Sequence, residues 1–113
     1  MNQLLIGAFF PFVFMFAIYA CRNFRASFRM LVAVPVFIAL SMIWAVIPDF
    51  PRLFGARDLY YRLALDPRCN IFYWHYTIDL GESDSPWYGA GLAIILACIL
   101  AAAWRELALA EAD

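Results

Sequence analysis

Three apolar stretches, residues 4–20, 30–47 and 87–103, contain no Asp, Glu, Lys, Arg or His. That one feature restricts the chain to very few folds. An α-helix rises about 1.5 Å per residue, so crossing a hydrocarbon core of about 30 Å takes roughly 20 residues, and each stretch with its flanks reaches that length. In lipid the backbone N–H and C=O groups find no water, and a lone apolar segment satisfies them only as a helix. The sequence therefore predicts an all-α integral membrane protein, a single three-helix domain over residues 1–113. The spans are expected at about 3–21, 30–48 and 86–105, with a structured extracytoplasmic loop at 49–85. The lipid bilayer is the first partner.

Composition removes several function classes. With 66% hydrophobic and 15% charged residues, the chain has too few charges to cover a water-facing surface. A formal net charge of −1 and the absence of lysine leave no basic patch for phosphates, so nucleic acid is not an expected partner. Cys21, Cys69 and Cys98 form no C-x-x-C and have no histidine cluster beside them. They read as small apolar fillers and one loop thiol rather than a disulfide or a zinc site. Ile18-Tyr19-Ala20-Cys21 has a faint look of a lipoprotein processing site. No cation precedes the apolar run and Arg22 and Arg25 follow it, so the first stretch is read as a retained span.

Three crossings place the two ends of the chain on opposite sides. The connection at 21–29 carries Arg22, Arg25 and Arg29 without an acid. The positive-inside rule puts it in the cytoplasm, with the N-terminus outside and the C-terminus inside; the expected location is a bacterial inner membrane. The long loop holds as many arginines as the opposite side, Arg52, Arg57, Arg62 and Arg68, but intersperses them with acids. Pro35 falls in the first turn or two of the second span, where a missing N–H costs little. Pro48 and Pro51 end that span. Ser85 is placed to cap the third helix, with Pro86 at its first position and Asp84 near the positive end of its dipole.

Gly89, Ala93, Ala97 and Ala101 recur every fourth residue along the third helix. A ridge without large side chains lets another helix approach closely, which in lipid replaces the hydrophobic drive available in water. Its occupant is either another subunit or a helix of the same chain. Phe9, Phe10, Phe12, Phe14 and Phe16 are spread round the first helix rather than along one stripe, as expected when lipid or protein surrounds it.

The loop 49–85 is too long to be a simple turn. Leu53, Ala56, Leu59, Tyr60 and Leu63 follow helical spacing while Arg57, Asp58, Arg62 and Asp66 lie away from them. This predicts a short interfacial helix, with Asp58 and Arg62 placed to pair at i, i+4. An aromatic run then leads into His75, Asp79, Glu82 and Asp84. Those four are the candidate metal ligands, with His75 oriented by Asp79. The calcium-loop pattern is absent. The plainer alternative has His75 bonded to Asp79 or to a backbone carbonyl, with the acids in water. No cofactor is otherwise implied and no catalytic set is visible.

Charge-free spans disfavour a pump or transporter. The preferred expectation is a small accessory or assembly subunit, docking on a larger membrane complex or on itself through Gly89, Ala93, Ala97 and Ala101. An interfacial metal-binding protein or enzyme built on the 75–84 cluster is the alternative, and a self-associating channel or lipid-modulating protein using Gln3, Tyr19, Ser41 and the backbone at Gly89 ranks third.

Overall fold

The structure is a computed structural model and describes residues 2–75, 78 and 85–113. Its long elements are three apolar helices, α1 (Asn2–Cys21), α2 (Phe28–Val46) and α5 (Pro86–Ala112). Between the second and third lie the short helices α3 (Phe50–Leu53) and α4 (Arg57–Ala64) and 3-10 turns at Ile47–Asp49 and Pro67–Ile71. All three long helices have the length and composition to cross a bilayer. The architecture is that of an all-α integral membrane protein with a short helix in the second loop.

Burial fits that setting. Among the described residues the buried apolar side chains are Ala8, Met30, Ile38, Ala45, Tyr60 and Ile95, while Phe14, Phe37, Ile94 and Leu100 stand more than half exposed along the spans. In water such a surface would cost about 25 cal/mol for each Å² exposed. Against acyl chains it costs nothing.

The boundaries have local causes. Ser27 caps α2 by accepting a hydrogen bond from the Met30 N–H at 3.3 Å, which starts the helix two residues earlier than expected. Ser85 caps α5 as anticipated, accepting from the Trp87 N–H at 3.4 Å, with Pro86 next. At its far end α5 continues to Ala112 rather than stopping near residue 105. Arg105 and Glu106 end the apolar run without ending the helix, because Leu, Ala and Glu are strong helix formers in water too. Its 27 residues span about 40 Å, so the last turns project beyond a ~30 Å core. The i, i+4 pairing of Asp58 with Arg62 does not form, since no ion pair joins them among the described residues. An exposed pair of this kind contributes little to hold two side chains in place.

α1 packs extensively along α2 and less so against α5, whereas α2 and α5 make little direct contact. The shared core is Ala8, Ile38 and Ile95, with Leu5, Phe12, Val34 and Met42 around it. The closest approach is at Gly7: a Cβ built there would lie 2.8 Å from the Ser41 carbonyl oxygen, 2.9 Å from Met42 Cα and 3.0 Å from Ala45 Cβ. Four residues on, Pro11 sits inside α1 and takes away the N–H that would bond the Gly7 carbonyl.

The α1–α2 connection turns on two left-handed residues, Asn23 (φ 54°) and Phe24 (φ 57°). Phe24 is held there by its N–H to the Tyr19 carbonyl at 3.0 Å and by its ring, edge-on to Tyr19 at 5.5 Å. α5 is tied to this connection. Glu106 accepts from the Ala26 N–H at 2.9 Å and pairs with Arg25 at 3.4 Å, while Arg105 donates to the Phe24 carbonyl and to the Tyr19 hydroxyl.

Candidate functional site

At the opposite end, one face of α2 and the turn after it receives the loop. Ser41, Trp44, Ala45 and Asp49 recur at helical spacing, and each meets a residue of the 71–75 segment. Trp44 Nε1 donates to the Ile71 carbonyl at 3.2 Å, and its ring lies 4.7 Å from that of Phe72. The Tyr73 and Ser41 hydroxyls are 2.7 Å apart, and the Tyr73 ring stacks on Phe10 of α1 at 5.4 Å. Ser41 lies six residues before Ile47, where α2 gives way to the 3-10 turn, so the Tyr73 side chain meets the helix about 9 Å below that turn.

The chain turns onto α2 through Tyr73 (φ 55°) and Trp74 (φ 53°), both left-handed. For bulky residues this costs roughly 1–2 kcal/mol each, and the contacts just described offset it. Upstream, Asp66 starts the 67–71 turn by accepting from the Arg68 N–H at 3.0 Å. The Arg68 side chain, and then its backbone N–H, hold the Asp66 carboxyl below the usual carboxylate range.

His75 is the fully buried end of the segment, at 0% exposure. Its Nδ1 lies 2.9 Å from the Ala45 carbonyl and its Nε2 3.3 Å from Asp49 Oδ1. Ala45 is in the last turn of α2, where carbonyls have lost their helical donors, and the imidazole acts as a cap. A carbonyl only accepts, so Nδ1 carries its hydrogen; the Nε2 contact with the carboxylate is then a hydrogen bond only when a second proton lies between them. The backbone-carbonyl alternative read from the sequence is thus present, with Asp49 as the carboxylate partner. That partner was missed. The available signal was an acid directly after Pro48 at the end of a span. Removing the Tyr73 hydroxyl tests the seat gently: Tyr73→Phe keeps the stacking and is expected to lower stability by about 1 kcal/mol, read as an earlier midpoint in SDS-titrated unfolding. An unchanged midpoint would contradict the contact.

Of the four candidate metal ligands, Asp79, Glu82 and Asp84 lie outside the described residues. Both ring nitrogens of His75 contact protein oxygens, and the described residues bring together no group of three metal-binding side chains. Cys21, Cys69 and Cys98 are free thiols.

The ridge on α5 has a distinct placement. Ile95 is buried, with Leu92 and Ile99 packed against the same core, and Leu5 of α1 closes on Gly91, where a Cβ would meet it at 3.0 Å. Ala93 and Ala97 are each two residues, about 160° around the helix, from Ile95. Ala93, Ala97 and Ala101 are exposed and Gly89 is half-buried. The ridge therefore lies away from α1, and the small-residue crossing within the chain is made by Gly7 instead.

No family model, curated protein or solved structure matches this chain.

Proposed function

We propose that the chain is a small accessory or assembly subunit of a larger membrane complex, docking through Gly89, Ala93, Ala97 and Ala101 on α5. The observation that carries this reading is the exposure of Ala93, Ala97 and Ala101 on the side of α5 turned from the buried Ile95. Lipid tails fill a flat small-residue ridge no better than another helix does, and interhelical packing there is favourable. The loop between α2 and α5 would then face the outer side, with exposed Leu53, Phe54 and Leu65 beside α4 at the interface. A helical chain suits a bacterial inner membrane rather than an outer one, whose spanning proteins are barrels. Arg22 and Arg25 on the short connection, with Arg29 in the first turn of α2, favour a cytoplasmic C-terminus.

The test is extraction in a mild detergent, followed by native mass measurement and co-purification for wild type and for Ala93→Leu with Ala97→Leu. Wild type is expected to travel with a stoichiometric partner, and the double variant to lose at least nine-tenths of it while keeping its helical content. A wild type that runs as a lone monomer, matched by the variant, would overturn the proposal.

A further inference from the structure

Because α2 and α5 barely touch, a wedge opens between the three helices beneath the short connection. It is a narrow, open groove with about 80 Å³ of space, walled by Phe12, Phe16, Met30, Val34, Ile99 and Ala102. Tyr19 and Ala26 form its upper wall, and the same two residues belong to the polar lock above it, through the Tyr19 hydroxyl to Arg105 and the Ala26 N–H to Glu106. An apolar slot thus runs without a break into a charged rim.

The rim carries one sign. Arg25 and Arg105 are placed there by their contacts, Arg22 and Arg29 each lie three residues along the chain from the wall residues Tyr19 and Ala26, and the nearby acid, Glu106, is engaged by Arg25 and the Ala26 N–H. Arg105 is held by Phe24 and Tyr19. Arg22 and Arg29 are exposed and pair with no carboxylate among the described residues. Glu111 is five residues beyond Glu106, about 8 Å further from the slot along α5, and Asp113 is further still.

We propose that this end of the protein is a binding site for one anionic phospholipid, its phosphate on the arginine rim and the first methylenes of one acyl chain lying in the groove. Arginine matches phosphate in charge and in planar geometry. Basic pockets between membrane helices are a recognised form of anionic headgroup recognition. The apolar wall supplies what a free phosphate could not use, a slot for a tail.

The experiment uses delipidated full-length protein in mild detergent, with back-titration of dioleoyl phosphatidylglycerol or dioleoyl phosphatidylcholine read by native mass spectrometry. Wild type is expected to retain one phosphatidylglycerol with at least tenfold preference over phosphatidylcholine. Arg22→Gln with Arg29→Gln is expected to abolish the preference. Ala102→Phe, which fills the slot and leaves the arginines, is expected to lower phosphatidylglycerol retention at least tenfold at unchanged helical circular dichroism. Val34→Phe serves as the filler if Ala102→Phe loses its helicity. Equal retention of the two lipids, preference surviving in the arginine double variant, or retention surviving in a folded slot-filled variant would each overturn the proposal. Displacement of phosphatidylglycerol by glycerol phosphate at equal concentration would do so too, by showing that the tail contributes nothing.

Discussion

Gly7→Leu is expected to separate α1 from α2 and to lower the stability of the helical domain by about 3 kcal/mol, the upper range for forcing extra carbons into a packed contact. The first added carbon already falls 2.8 Å from the Ser41 carbonyl oxygen and 2.9 Å from Met42 Cα. Both are backbone atoms of a helix and cannot rotate aside. The helices must part, and parting them strips contacts from Ala8 and Ile38 in the core. In lipid no hydrophobic drive pulls them back, since acyl chains are as apolar as the opened faces, and the van der Waals packing lost at the crossing is not recovered. Gly7→Ala is expected to cost less but in the same direction, because a single methyl meets the same atoms. Unfolding followed by circular dichroism in dodecyl maltoside with rising SDS measures both. A Gly7→Leu midpoint equal to wild type would contradict the crossing.

His75→Ala is expected to release the loop and leave the transmembrane helices in place. Removing the imidazole strands the Ala45 carbonyl and takes the partner from Asp49. A buried polar group without a partner costs about 1–3 kcal/mol, and the void left by a fully buried ring adds to it. The left-handed conformations of Tyr73 and Trp74 would lose part of what sustains them. The readout is selective. Proteolysis near Arg68 is expected to accelerate at least tenfold and Trp44 fluorescence to shift, while far-ultraviolet circular dichroism changes little. His75→Gln, which retains one amide donor for the Ala45 carbonyl, is expected to recover part of the protection. Unchanged proteolysis in His75→Ala would show that the ring does not anchor the loop.

The spans were readable because membrane insertion depends on additive properties of short segments, apolar length and the absence of charge, which survive without knowledge of neighbours. Ser85 and Pro86 were readable for a similar reason, as caps act within four residues. What lay beyond the sequence depends on register between distant segments. The partnership of His75 with Ala45 and Asp49 requires two left-handed residues, at 73 and 74, that no local propensity favours, and Asp79 is the nearer acid in sequence. The i+4 ridge of α5 was visible as a pattern. That Ala93, Ala97 and Ala101 face away from α1 follows only from which side Ile95 and Leu92 turn to the core. Gly7 gave no periodic signal. Its significance arises from the matching small surface at Ala45 and the exposed backbone of Ser41, one helix away.

Every role proposed above depends on a backbone that passes through the bilayer three times. The most direct test places a single reactive cysteine in a thiol-free background, once near Asn2 and once near Asp113, and labels intact, sealed vesicles with a membrane-impermeant maleimide. The two positions are expected to label from opposite faces, one before and the other only after the vesicles are opened. Labelling of both from one face would contradict the three-span arrangement.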